Sequence, residues 1–204
     1  MHPNHSARYS VSVQDRVIIV HGWDGYPEEG WFPWLKDTLS GRGVRVSVPQ
    51  MPHPDAPEIS TWVAHLAAVV EEPTERTFLV GHSIGCQTIL RYLASLSESA
   101  RIGGALFVAG FFTMTNIGGE EEERIARPWL SEPIDDAAVQ AHVGRMTAIF
   151  SDDDPYVPLE NAQMFEKRYH LKMLVEHHQG HFSGSQGVTE LPMVLRELLL
   201  LMGK

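Results

Sequence analysis

The sequence has little cysteine and no long apolar run. Its one cysteine, Cys86, has no second thiol in the chain with which to form a disulfide, and a lone thiol is more typical of a reducing compartment than of an oxidising one. The first 15 residues contain no apolar segment of the kind that a signal peptide needs. No apolar run approaches the roughly 18 residues that a membrane helix requires. We therefore predict a cytoplasmic location and no membrane span.

Positive charge is also scarce. The chain has 16 lysines and arginines against 26 aspartates and glutamates, which gives a formal net charge of −10. Proteins that bind nucleic acids usually present a basic face, so no nucleic-acid partner is expected. A length of 204 residues with 43% hydrophobic residues is enough for one domain with a full core. We predict a single domain over 1–204, with 1–15 as an N-terminal extension.

Short apolar runs alternate with amphipathic stretches along the chain. The apolar runs are almost continuous, which is typical of strands that are buried on both faces, and they predict strands at 16–20, 44–48, 77–81, 104–110, 146–150 and 171–176. The amphipathic stretches predict helices at 31–40, 58–70, 85–98, 135–143, 160–168 and 189–202. This alternation predicts a three-layer α/β/α sandwich around a mostly parallel, six-stranded sheet.

The segment 111–134 is the least regular part of the sequence. It has paired glycines, a run of four glutamates and two prolines, and it is predicted to be a loop or lid excursion. Phe111, Phe112 and Met114 are apolar at a point where the chain should be surfacing, so they are predicted to wall a substrate pocket. The alternative is an acidic surface loop with no part in binding.

The stretch Gly81-His82-Ser83-Ile84-Gly85 stands between a predicted strand and a predicted helix. In that setting Gly-x-Ser-x-Gly is the pattern of a nucleophile elbow, a strained turn that exposes the serine hydroxyl. The N–H group of Ile84 would lie at the start of the helix, where donors are free and the helix dipole favours a developing oxyanion. The alternative is a turn with a capping serine.

A serine hydroxyl is a weak nucleophile and needs a base. His181 follows the last predicted strand, and active groups in open parallel sheets gather beyond the carboxyl ends of the strands, so His181 is predicted to be the base. A metal cluster of His177, His178 and His181 is the alternative, but no second ligand set, acidic or cysteine-rich, accompanies these histidines. We therefore predict no metal and no cofactor. The acid that orients the imidazole is expected among the aspartates 152–154, where a helix-capping turn is the competing interpretation.

A second oxyanion donor is expected in the loop after the first strand. His21-Gly22 ends that strand, and the backbone N–H of Trp23 can point at the same site as that of Ile84. The Trp23 ring could pack beneath the loop, wall an acyl pocket, or do both.

Four motifs in order, "VIIVHGW", "GHSIG", "SDDDPYVP" and "GHF", together resemble the α/β-hydrolase superfamily. The short chain and the segment "HGWDGYPEEGWFPWL" are similar to the small serine hydrolases related to retinoblastoma-binding protein nine and the bacterial YdeN-like proteins. The resemblance implies a minimal α/β-hydrolase fold with strand order 2-1-3-4-5-6. It also implies a triad of Ser83, Asp154 and His181, because the superfamily's Asp-x-x-Val-Pro turn matches 154–158.

Two functions follow from these observations. The first is a serine hydrolase that cleaves a carboxylic ester, or a thioester or amide, of a small acyl substrate through an acyl-enzyme. The second is a non-catalytic protein-binding module on a hydrolase fold. The presence of serine, aspartate and histidine together favours the first, because binding alone would not require all three.

Overall fold

A computed structural model describes residues 14–204 and contains one six-stranded sheet in the order β2-β1-β3-β4-β5-β6, with every neighbouring pair parallel. The strands are β1 (Arg16–Val20), β2 (Arg45–Ser47), β3 (Thr77–His82), β4 (Gly104–Val108), β5 (Met146–Ser151) and β6 (Lys172–Glu176). The predicted parallel sheet and its strand order are confirmed. The predicted N-terminal extension lies outside the described residues except for its last two positions.

Seven α-helices and one short 3-10 helix (Gly184–Gln186) are present in the part of the chain that the structure describes. The α-helices are α1 (Phe32–Ser40), α2 (Ile59–Val70), α3 (Ile84–Ala94), α4 (Glu120–Ser131), α5 (Asp136–His142), α6 (Glu160–Tyr169) and α7 (Pro192–Leu201). None of them has the length and apolarity that a membrane crossing requires.

Successive residues of each strand point to opposite faces of the sheet, so the sheet separates two hydrophobic clusters. Ile18 and Val20 of β1 join the cluster that contains side chains of α2 to α6. Val17 and Ile19 join the cluster that contains side chains of α1 and α7. Helices therefore cover both faces, which confirms the three-layer sandwich.

Helix α4 lies in the segment that the sequence predicted only as an irregular excursion. The four glutamates form its first turn, where the helix dipole favours negative charge. Glu122 stabilises this start, because its carboxylate accepts a hydrogen bond from the N–H of Gly119 at 2.9 Å. Near the other end, Trp129 is buried and its Nε1–H donates to the Pro57 carbonyl at 3.0 Å. The irregular parts of this segment are thus 111–119 and the short link 132–134.

Candidate active site

The turn between β3 and α3 consists of Ser83 alone. Its φ of 54° lies in the left-handed region, which costs a non-glycine residue conformational energy. A Cβ atom at Gly81 would lie 2.8 Å from the backbone nitrogen of Cys86, and one at Gly85 would collide with the carbonyl oxygen of Val20. Both glycines are therefore required by close backbone approach, and the chain adopts the tight elbow that the sequence predicted.

The structure brings Ser83, His181 and Asp154 into one hydrogen-bonded chain. His181 Nε2 lies 2.9 Å from Ser83 Oγ, and His181 Nδ1 lies 2.8 Å from Asp154 Oδ2. The other carboxylate oxygen of Asp154 accepts from the N–H groups of Tyr156 and Val157 at 2.9 and 3.0 Å. Because the carboxylate accepts a hydrogen bond from Nδ1–H, Nε2 keeps a lone pair that can accept the serine hydroxyl proton.

The two other aspartates of the run are engaged elsewhere. Asp152 accepts from His177 Nδ1 at 2.5 Å, and this hydrogen bond lowers the pKa of Asp152 and raises the pKa of His177. Asp153 accepts from the N–H of Gly180 at 2.8 Å and lies 3.7 Å from exposed His178. Within residues 14–204, no group of three or more histidine, cysteine, aspartate or glutamate side chains is arranged to hold a metal ion.

Trp23 and Ile84 line the same cavity as Ser83. The backbone N–H group of neither residue donates a hydrogen bond to a backbone carbonyl between residues 14 and 204. The loop that carries Trp23 passes directly over the elbow, since a Cβ atom at Gly22 would lie 3.3 Å from Ser83 Cβ. The next residue anchors this loop, because the Asp24 N–H donates to the Pro54 carbonyl at 2.8 Å. Two backbone N–H groups without a backbone acceptor thus belong to residues that line the cavity beside Ser83.

The cavity beside Ser83 has a volume of about 400 Å³. One wall is apolar and is formed by Phe111, Met114, Ile117, Ala126 and Trp129. The sequence had predicted the first two of these. It missed the two from α4, although the three-residue spacing of Ala126 and Trp129 on one helix face is a signal that could have revealed them.

Phe112 is not part of this wall, so the prediction for it is wrong. Its ring packs 4.7 Å from the ring of Phe165, with the guanidinium of Arg168 lying 3.9 Å above it. Its N–H donates to Asn161 Oδ1 at 2.6 Å. These contacts hold Phe112 against α6.

Three carboxylates line the cavity, from Asp24, Glu29 and Glu122, and no lysine or arginine among the described residues does so. Desolvation raises the pKa of Asp24, and repulsion from Asp55 and Glu122 adds to this effect. Desolvation also raises the pKa of Glu29. Acidic side chains therefore outnumber lysine and arginine in the lining of this cavity.

The parallel sheet in this strand order, the elbow after β3 and the histidine and aspartate that follow β6 and β5 define an α/β-hydrolase fold. The model of the family described as Serine hydrolase matches residues 17–199, and the chain belongs to that family.

Two relatives are similar over nearly their whole length. The putative hydrolase YdeN of Bacillus subtilis is 31% identical over 179 residues, which cover 88% of this chain and 92% of the relative. The serine hydrolase RBBP9 of Rattus norvegicus is 26% identical, with 90% and 95% covered.

Solved structures show the same fold. The crystal structure of the B. subtilis ydeN gene product aligns with a TM-score of 0.86 at 29% identity and covers 94% of this chain and 100% of that one. Est1E from Butyrivibrio proteoclasticus aligns with a TM-score of 0.70 at 17% identity and covers 94% of this chain and 89% of that one, which is a likeness of fold alone.

Proposed function

We propose that this serine hydrolase cleaves carboxylic esters of small molecules through an acyl-enzyme, with Ser83 as nucleophile, His181 as general base and Asp154 as the residue that orients the imidazole. The hydrogen-bonded chain from Ser83 Oγ through His181 to Asp154, with distances of 2.9 and 2.8 Å, is the observation that carries the proposal. Thioesters and amides are chemically related substrates of the same mechanism.

Acylation begins when Ser83 Oγ attacks the carbonyl carbon and its proton passes to His181 Nε2. The carboxylate of Asp154 stabilises the imidazolium that forms. The carbonyl oxygen becomes an oxyanion that accepts hydrogen bonds from the N–H groups of Trp23 and Ile84. The tetrahedral intermediate collapses as His181 returns the proton to the leaving alcohol, and the serine remains acylated.

Deacylation repeats these steps with water as the nucleophile. His181 takes a proton from the water as the water attacks the acyl carbon, and returns a proton to Ser83 Oγ when the acid leaves. The apolar wall next to the serine supports an uncharged acyl group, because burying apolar surface there is favourable.

The test is hydrolysis of p-nitrophenyl esters with acyl chains of graded length, beside a thioester and an anilide. Ser83→Ala should lower kcat by on the order of a millionfold, because a triad acts as a unit. Ser95→Ala is a matched control: this serine lies just after the other end of α3, with its hydroxyl bonded to the Tyr92 carbonyl, and it should retain wild-type rates. A wild-type protein that cleaves none of these substrates would favour the binding-module alternative.

A further inference from the structure

We propose that His82, inside the elbow, is a positioning residue that holds the backbone of His181 in register with Ser83. This inference rests on the proposed function. No role in the transfer of protons is assigned to His82 itself.

The first observation is a hydrogen bond between the two histidines. His82 is 4% exposed, and its Nε2 lies 2.7 Å from the carbonyl oxygen of His181. A carbonyl oxygen can only accept, so Nε2 carries the hydrogen and donates. The N–H of His181 in turn donates to Gln186 Oε1 at 2.6 Å. Side chains therefore hold the peptide groups on both sides of His181.

The second observation concerns the remaining edge of the His82 ring. Its Nδ1 has no hydrogen-bond partner among residues 14–204, which agrees with a neutral ring protonated on Nε2 only. This edge faces Gly22, where a Cβ atom would lie 3.2 Å from Nδ1. The rings of Trp31 and Phe32 lie edge-on at 6.2 and 6.0 Å between centroids. The imidazole is therefore fixed in one orientation.

The third observation is that Trp31 supports the same loop. Its Nε1–H donates to the carbonyl of Phe182 at 3.1 Å. Two buried donors thus hold two successive carbonyls, those of His181 and Phe182. These bonds leave the loop little freedom to shift relative to the elbow.

One buried ring thereby joins three parts of the site. His82 precedes Ser83 in the chain, its ring lies against the loop that carries Trp23, and its Nε2–H donates to the residue that we propose as the base. Burial lowers the pKa of His82 to about 3, so the ring stays neutral and does not repel the imidazolium that forms at His181. Displacement of reacting atoms by about 1 Å can cost on the order of a hundredfold in rate, so loss of this bond should appear in kcat.

The test compares two substitutions of similar length. His82→Gln keeps an N–H donor, and His82→Met does not. We expect kcat to fall by on the order of 30- to 100-fold in the Met variant and by about fivefold or less in the Gln variant, with KM for the same ester changed by less than about threefold in both.

His142 supplies the matched control. It is also a buried histidine, and its Nδ1 lies 2.9 Å from the Ala100 carbonyl, outside the cavity. His142→Gln and His142→Met should lower the thermal midpoint without changing kcat. A folded His82→Met protein with wild-type kcat, or a Gln variant no more active than the Met variant, would overturn the proposal.

A measurement on the wild-type protein keeps the proposal testable if the Met variant does not fold. The ¹⁵N spectrum of its histidine side chains at pH 7 should show His82 as the neutral Nε2–H form with a slowly exchanging proton. An Nδ1–H form or a charged ring would contradict the bond to His181. This result is independent of Ser83→Ala, so failure of the proposed function and failure of the positioning role are distinguishable.

Discussion

Replacing Asp154 by asparagine should nearly abolish activity while leaving the fold intact. In the wild-type protein, Asp154 Oδ1 accepts hydrogen bonds from the N–H groups of Tyr156 and Val157 at 2.9 and 3.0 Å. The asparagine oxygen can accept the same two bonds, so the turn is retained. The amide nitrogen then faces His181 Nδ1 in place of a carboxylate oxygen. An amide N–H donates, so Nδ1 must become the acceptor and the ring proton moves to Nε2.

That tautomer leaves no lone pair toward Ser83, and the imidazolium loses its counter-charge. In Ser-His-Asp hydrolases this substitution costs about ten-thousandfold in kcat, equivalent to about 5.5 kcal/mol. Initial rates on a short-chain p-nitrophenyl ester measure it, with circular dichroism and a thermal midpoint to show that the variant is folded.

Asp153→Asn is the matched control for this prediction. Asp153 accepts from the Ser151 hydroxyl at 2.7 Å and from the Gly180 N–H, whereas the carboxylate that pairs with the His181 ring is that of Asp154. Its replacement should change kcat by less than about threefold, as expected for a residue that only supports a loop. If Asp153→Asn were the damaging substitution and Asp154→Asn the mild one, the assignment of the orienting acid would be refuted.

Three further predictions concern pH, charge and pocket shape. Between about pH 3 and the ordinary histidine pKa of 6.5, the unfolded chain binds a proton at His82 that the folded chain does not. The free energy of unfolding should therefore fall with decreasing pH by up to about 1.4 kcal/mol per pH unit. Urea unfolding measured across this range should show a weaker dependence of the free energy on pH for His82→Gln, and an unchanged dependence would contradict the burial argument. Because Asp24, Glu29 and Glu122 line the cavity, an ester with a carboxylate in its acyl chain should have a kcat/KM about tenfold lower than that of a neutral isostere. Added salt should reduce this difference in kcat/KM by screening the charges. Equal kcat/KM values for the two esters at low salt would refute the prediction. Met114→Trp should lower kcat/KM for an octanoyl ester by about tenfold relative to an acetyl ester by filling the apolar wall, and an unchanged ratio would remove Met114 from the acyl site.

The sheet was predictable because its strands are buried on both faces and are almost continuously apolar. The residues at which the strands begin and end were less predictable. The strand predicted over 104–110 ends at Val108, because Ala109 adopts a φ of 49°, which turns the chain away from the sheet. Local composition does not encode that turn.

Helix α4 was not predicted because several of the contacts that stabilise it come from residues that are remote in sequence. Paired glycines and Pro128 argue locally against a helix. In the fold, the buried Trp129 bonds to the Pro57 carbonyl, and Arg91 donates to the carbonyls of Trp129 and Glu132. Tertiary contacts of this kind override local propensity.

The candidate site was predictable to the level of motifs and chain order. Glycine spacing indicated Ser83, and position after the last strand indicated His181. The choice among three adjacent aspartates depended on the family resemblance, since all three follow the same strand and all three lie near histidines or the loop that carries them. Which carboxylate faces which imidazole is decided by the path of the turn.

The central claim is that Ser83 is the nucleophile, and covalent labelling tests it most directly. The protein is incubated with a fluorophosphonate at pH 8, digested and sequenced by tandem mass spectrometry. We predict one adduct, on Ser83, that fails to form in Ser83→Ala and forms at least about a thousandfold more slowly in Asp154→Asn. Labelling on another serine, or labelling that persists at the wild-type rate in Ser83→Ala, would contradict the account.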